Sequence, residues 1–402
     1  MSRFPRALWN NVGLRPLILL LLTLAPAASL LAQRPHLLLT ARRLHRLKLD
    51  AQRQTERWVN FEKRVKTISD SPERGFELAL YCSVTDNAAP CQEAIKWGLV
   101  HVQNVRQNAL IVDWCRDALA DGQEGQLLSK APRKAASPFR NARNQFFAQV
   151  AGGNASLDQV RALWKELLPL IERDPRLAPS DLYALYEFLD AVNTNFRNDL
   201  RQDNPKLFAD LPALLLLLQQ PAQMEQPDWQ TRLAGLMMVS LDPNLQTSSF
   251  VQGWAMEDPK MVREGPGVAY EFLLADPYLP GLGYYNMDPW VYENAGGLLL
   301  ARSSWDADAC WINVFRGEFQ SAQCPANVRE SARKFGRMNL LPITKRCVEV
   351  KQAPRTTTIL SGLRPGATVE WRSGDQKRTE TADASGLLLL STDAQGKVCE
   401  KR

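Results

Sequence analysis

The sequence predicts an α+β multidomain chain, with a long helical region ahead of a mostly β tail. Three observations predict it. Apolar residues recur at helical spacing from about Thr40 to Leu274. Prolines and glycines then crowd the stretch after Asp276, and short β-prone runs bounded by turns follow. The expected division is a leader over 1–32, a helical domain over 34–275 and a β domain over 276–402. A chain of 402 residues, 45% hydrophobic and 23% charged, can fill more than one core and is not a disordered polymer.

The leader reads as an export signal. Arg3, Arg6 and Arg15 precede the apolar run Leu17–Leu24, which ends in Ala25-Pro-Ala-Ala-Ser29. From Leu17 to Ala32 there are 16 residues, broken by Pro26, against the roughly 20 that a membrane span requires. Cleavage is expected after Ala27 or near Ala32, leaving a secreted or periplasmic mature chain without a membrane span; the alternative reading is an uncleaved anchor. Leu211–Leu218 is greasy but short, and reads as a buried helix.

The helices follow in order. Leu44, Leu47 and Leu49 open one stripe, and Trp58, Phe61 and Val65 another. Phe76, Leu78, Ala79 and Leu80 follow Pro72. Ala94, Trp97, Leu99 and Val100 form a further cluster, as do the residues from Leu110 to Leu119. Gln123–Asn144 is polar and basic (Lys130, Arg133, Lys134, Arg140, Arg143) and reads as a loop, either plainly solvated or forming a basic rim on a cleft. Ser156 caps an amphipathic helix carrying Leu157, Val160, Leu163, Trp164 and Leu167. Ser180-Asp181 caps the next, with Leu182, Leu185, Tyr186, Leu189 and Val192 inward. Further helices cover about Asn204–Gln219 and Pro227–Leu241. Sequential helices on short links form a bundle, solenoid or toroid, and no fixed-period repeat is visible.

The tail begins with an aromatic loop containing Pro280-Gly281, Gly283 and Asp288-Pro289. Gly297–Arg302 reads as a strand and Cys310–Arg316 as its return; Arg355–Leu360, Thr368–Arg372 and Gly386–Ser391 read as later strands. Together they predict a small sandwich.

Charge and cysteine content narrow the function. The formal charge is +6; beyond residue 32, 46 basic side chains face 43 acidic ones, a balance of +3. Nucleic acid, which calls for a concentrated basic surface, is not an expected partner. Seven cysteines suit an oxidising compartment. A Cys82–Cys91 bridge is expected across a polar turn, with Cys310–Cys324 or Cys347–Cys399 stapling the tail; the odd number leaves at least one thiol free or paired between chains. Cys115 is expected to pack. No C-x-x-C pair is present, and neither a metal nor a cofactor is expected.

Several segments resemble secreted heparinase II/III-like and alginate-lyase-like proteins. Arg34-Pro-His-Leu-Leu-Leu-Thr-Ala-Arg-Arg-Leu-His-Arg-Leu47 is similar to their opening, Gly75–Leu99 to their paired helices, and Val112-Asp-Trp114 to an Asp-Trp on a helix. Ala301-Arg-Ser-Ser-Trp-Asp-Ala-Asp-Ala309 resembles the arginine strand and tryptophan-aspartate turn that begin the family's β domain. The resemblance implies an incomplete α/α toroid followed by a C-terminal β-sandwich, with an acidic, uronate-containing polysaccharide as partner. It implies β-elimination, in which one group neutralises the sugar carboxylate, a base removes the neighbouring proton, and an acid protonates the leaving oxygen.

On this reading Tyr270, Tyr285 and Asn195 are the catalytic candidates. Arg197, Asn198, Tyr284, Asn286 and Tyr292 are the substrate-binding candidates. They are expected to meet in a groove where the helices close against the β domain. The alternative roles are interface packing for the tyrosines and helix capping for the asparagines. Glu264, Glu271 and Asp276 could also reach that junction, but their spacing fixes no glycosidase geometry. His36, His45 and His101 are the only histidines, so the family's central histidine has no counterpart beyond His101. That departure keeps open a catalytically inactive carbohydrate-binding or structural protein, and a helical protein-interaction scaffold.

Overall fold

A computed structural model describes residues 37–129, 137–225, 227–257, 265, 267–293, 298–302, 305–309, 311–315 and 318–323, and the tail segments 346–352, 355–361, 366, 368–373, 376–381 and 388–393. The leader over 1–32 lies outside them, as do His36, Lys130, Arg133, Lys134, Glu264, Cys310, Cys324 and Cys399.

Among the described residues, fourteen α-helices precede nine β-strands, which is the expected α+β order. The helices are α1 (Ala41–Gln52), α2 (Glu56–Thr67), α3 (Arg74–Thr85), α4 (Ala88–Val100), α5 (Val105–Trp114), α6 (Gln123–Leu128) and α7 (Pro138–Ala151). They continue as α8 (Leu157–Arg173), α9 (Pro179–Phe196), α10 (Pro205–Leu217), α11 (Pro221–Glu225), α12 (Trp229–Leu241), α13 (Gln246–Glu257) and α14 (Gly267–Leu274).

Local chemistry sets many of these boundaries. Thr40, Asn87, Asn104, Ser137, Asn204 and Asp228 each accept a backbone N–H as amino-terminal caps. Ser156 and Gln159 form the reciprocal capping box that starts α8. Two expectations are corrected. Ser180-Asp181 does not cap its helix: Pro179 is the first helical residue with φ already set, Ala178 is the cap position, and Ser180 and Asp181 lie within the first turn. The segment 123–144 is not one loop: α6 occupies its start and α7 begins within it at Pro138, behind the Ser137 cap.

Burial separates two kinds of helix. The segments α3, α5, α9 and α12 bury residues on all faces, whereas α1, α2 and α8 bury a stripe. The inner packing is cyclic: α3 rests on α5, α5 on α7, α7 on α9, α9 on α12, α12 on α14, α14 on α1, and α1 on α3 again. The core between them includes Phe61 stacked on Phe272 at 4.8 Å and Phe76 on Tyr270 at 4.6 Å. The Asp113-Trp114 pair clamps the start of the described chain. Asp113 accepts the Leu37 N–H at 2.7 Å, and the Trp114 indole donates to the Leu37 carbonyl at 2.8 Å.

The strands β1 (Trp290–Glu293), β2 (Leu298–Arg302), β3 (Trp311–Phe315) and β4 (Glu318–Ala322) form an antiparallel sheet in sequence order, with Trp290 opposite Ala301 and Arg302 opposite Trp311. Further on, β5 (Arg346–Gln352), β6 (Arg355–Ser361) and β9 (Leu388–Asp393) form a second sheet, and β7 (Thr368–Ser373) pairs with β8 (Gln376–Thr381). The first sheet is anchored on the carboxyl end of α10. Arg302 Nη1 donates to the Gln219 carbonyl at 2.9 Å and Trp311 Nε1 to the Leu217 carbonyl at 2.7 Å. The Leu217 carbonyl belongs to the last turn, where helix carbonyls lack intrahelical partners, and Gln219 follows just beyond the cap. The buried Arg302 guanidinium lies 4.9 Å from the Trp305 ring centre. Burial pushes its pKa down to about 10, so it remains charged at neutral pH. No helix among the described residues is long and apolar enough to cross a membrane.

Candidate functional site

The amino-terminal turns of the inner helices surround one cavity of about 480 Å³. Glu73 comes from the cap of α3, Asn104 and Arg106 from the start of α5, and Arg140, Arg143 and Asn144 from α7. Ser180 and Tyr183 come from α9, Trp229, Gln230 and Leu233 from α12, and Tyr270 from α14. Three arginines thus face one lining carboxylate. Helix amino termini add partial positive charge through the macrodipole. Trp229, 42% exposed, offers a planar apolar face.

A buried charge network floors the cavity. Arg106 grips Glu187 in fork geometry, Nε to Oε2 at 2.9 Å and Nη2 to Oε1 at 2.6 Å. Its Nη2 also donates to the Tyr183 hydroxyl at 2.8 Å, and its Nη1 to Glu73 Oε2 at 3.2 Å. Arg143 Nη1 reaches Glu187 Oε2 at 2.7 Å, and the Tyr183 hydroxyl donates to Glu187. Tyr183 and Glu187 share one face of α9 because they are four residues apart. The Tyr270 hydroxyl donates to Glu73 Oε2 at 2.7 Å. The Arg106 guanidinium lies 5.4–5.6 Å from the ring centres of Phe76, Tyr183 and Tyr270.

This setting shifts several protonation equilibria. Burial alone would raise the Glu187 carboxyl, but the charges of Arg106 and Arg143 outweigh it and hold the group below the usual carboxylate range. Burial raises Glu73, and the attraction of Arg106 offsets only part of that. Burial drives Tyr183 and Tyr270 well above the ordinary tyrosine value, so both rest as neutral phenols. Glu73 is therefore a carboxylate made more basic than usual, hydrogen-bonded to a phenol that can donate.

The sequence candidates divide. Tyr270 lines the cavity; Asn195, Arg197 and Asn198 do not. They sit at the far end of α9, where twelve residues separate Asn195 from Tyr183, about 18 Å along the axis. Arg197 ends the helix in the left-handed conformation (φ 52°), and the Asn195 amide donates to the Ala191 carbonyl at 2.7 Å. Tyr284, Tyr285 and Asn286 form a 3₁₀ turn beside α13, with Tyr284 edge-on to Trp305 at 5.5 Å and Tyr285 57% exposed. They do not line this cavity. The expected meeting of Tyr285 and Asn195 with Tyr270 is thus corrected, because the turn and the two helices present those residues at separate places. Tyr292 lies in β1, and its side chain is outside the described residues.

Arg106, Glu73, Tyr183 and Glu187 were not among the sequence candidates, although charged residues within apolar stripes were a usable signal. The basic residues of segment 123–144 point the other way: Arg140 and Arg143 do rim a cleft. A second depression, lined by Pro72, Trp97, Val100 and His101, shares Gln103 and Asn104 with the cavity. His101 stacks on Trp97 at 4.2 Å. Among the described residues, Cys82, Cys91 and Cys115 bring three potential metal-ligand atoms together. No protein-family model and no curated protein matches this chain.

Proposed function

We propose that the protein is exported, binds an acidic, uronate-containing oligosaccharide in this cavity, and cleaves it by β-elimination. The observation that carries the reading is the convergence of Arg140, Arg143 and several helix amino termini on one hydroxyl- and amide-lined space. Such a space favours a carboxylate. Trp229 offers a face for a sugar ring, and Asn104, Asn144 and Gln230 offer partners for hydroxyls. The cyclic packing of α1, α3, α5, α7, α9, α12 and α14 supports an incomplete α/α toroid as the scaffold, and the sheets that follow support a β-sandwich-like partner.

The chemistry follows from the resting protonation states. With the sugar carboxylate neutralised by Arg140 and Arg143, Glu73 removes the proton from the adjacent carbon. Tyr270 gives its phenolic proton to the departing glycosidic oxygen, and Glu73 returns the captured proton to Tyr270. One C–H and one C–O bond break, and one C=C bond forms. Arg106 positions both groups by holding Glu73 and packing over Tyr270.

The second reading, binding without cleavage, is favoured by the closed network, in which Glu73 already accepts from Tyr270 and Arg106. Incubation with alginate, heparin and related uronans separates the two. Elimination produces the ultraviolet absorbance of an unsaturated uronate. Calorimetric binding with no new absorbance leaves the inactive reading, and no binding of any uronan rejects both.

A further inference from the structure

The sulfurs of Cys82, Cys91 and Cys115 meet in the core at the opposite end of α3 and α5 from the cavity. All three residues are buried, Cys82 being the outermost at 9% exposure. Cys82 lies on α3, Cys91 in the first turns of α4, and Cys115 at the carboxyl cap of α5. Cys91 lies within bridging reach of both of the others, the three sulfurs being within 4.8 Å of one another. A divalent sulfur forms one S–S bond, so the two contacts cannot both be disulfides at once. Both are suited to bridging: the Cα separations are 5.5 Å for Cys82–Cys91 and 5.4 Å for Cys91–Cys115, inside the usual disulfide range. The expected Cys82–Cys91 bridge is therefore one of two, and Cys115 is more than a packing residue.

We propose that these three cysteines form a shared-disulfide exchange site, carrying one bond and one thiol, in which Cys91 pairs alternately with Cys82 and Cys115. The bond enters when a small disulfide such as oxidised glutathione takes two electrons and two protons from two of the thiols, giving two glutathione thiols. Thereafter exchange requires no oxidant. The Cys82 thiolate attacks Cys91 Sγ, the Cys82–Cys91 bond forms, and the Cys91–Cys115 bond breaks. The electron pair leaves with Cys115, which takes up the proton that Cys82 lost. The reverse step is the same reaction with the end cysteines interchanged. One state staples α3 to α4, the other α4 to α5. Glu73 caps α3 and Arg106 opens α5, each nine residues before its cysteine, about 14 Å along the helix. The exchange therefore redistributes a covalent tie between the two helices whose other ends hold the Glu73–Arg106 contact.

The test is peptide mapping of the full chain after equilibration with a glutathione redox couple. Thiols are trapped with N-ethylmaleimide in acidic denaturant, and the protein is digested with pepsin, so that exchange is frozen throughout. The expected map contains both Cys82–Cys91 with alkylated Cys115 and Cys91–Cys115 with alkylated Cys82. Cys115→Ser should leave only the first pairing and Cys82→Ser only the second. A single pairing in the wild-type chain, a Cys82–Cys115 bond, or three alkylated thiols, with or without a metal ion found by elemental analysis of the native protein, would overturn the proposal. The wild-type map decides the matter even if a serine variant does not fold.

Discussion

Tyr270 donates its hydroxyl to Glu73 at 2.7 Å across 197 positions of sequence, joining the last helix of the helical region to the cap of its third. The contact closes the cyclic packing at the level of the cavity. Tyr270→Phe keeps the ring stacked on Phe76 and deletes only the donor. We expect elimination to fall about a hundredfold or more while ligand affinity changes little. Tyr285→Phe, on an exposed turn outside the cavity, should leave both turnover and melting temperature near wild type. Turnover and thermal unfolding of the two variants check this; loss of activity in Tyr285→Phe instead would move the site to the 284–286 turn.

Arg140 is the cavity arginine least engaged by the floor network, meeting Asp181 only at 3.6 Å. Arg140→Gln should weaken binding of a uronate oligosaccharide about tenfold, on the order of 1.4 kcal/mol, with stability within roughly 0.5 kcal/mol. A neutral oligosaccharide of the same length should lose nothing. Titration calorimetry with both ligands reads the difference, and equal losses would reject carboxylate recognition by this side chain.

Glu187 compensates two buried arginines, Arg106 and Arg143. Glu187→Gln should therefore cost about 3–5 kcal/mol in urea unfolding at neutral pH. The sign with pH is fixed by the lowered native pKa. The wild-type carboxylate contributes fully above its unfolded pKa, and the contribution fades as pH falls through the lower native value. The gap between wild type and variant should narrow in acid. A constant gap would mean that the charge is not the source of the effect.

Gly253 on α13 lies against the backbone of the 280–283 loop, whose Leu282 N–H donates to the Ser249 carbonyl at 2.9 Å. A Cβ at Gly253 would sit 1.9 Å from the Leu282 carbonyl oxygen, which cannot move independently of the chain. Gly253→Ala should destabilise by about 1–3 kcal/mol or more. Gly125→Ala, where a Cβ meets nothing within 4 Å, is the control and should not. Similar melting temperatures for the two variants would contradict this packing.

Much of the helical order was legible because it is written locally. Ser156 with Gln159, and the stripes around Trp58 and Trp164, determine their elements within a few turns. The β2–β3 pair was equally readable, since Leu298–Arg302 and Trp311–Phe315 flank a polar turn, whereas β1 lay within the stretch read as an aromatic loop. The cavity was not, apart from Tyr270 and the reading of Arg140 and Arg143 as a basic rim. Glu73, Arg106, Arg143 and Glu187 are brought together by the cyclic succession of helices, which no local pattern encodes. Asn195 and Arg197 attracted notice as a polar cluster, yet such clusters gather at helix ends because the backbone there is unpaired.

The two side chains that Arg302 and Trp311 send to the end of α10 tie the first sheet to the helical region. A fragment ending near residue 289 would leave the Leu217 and Gln219 carbonyls without these donors and would bare the apolar surface of α10 that β1 and β2 cover. Proteolytic trimming of the sheet should therefore unravel the helical shell from α10 outward, and any attempt to produce the cavity alone must carry the first four strands with it.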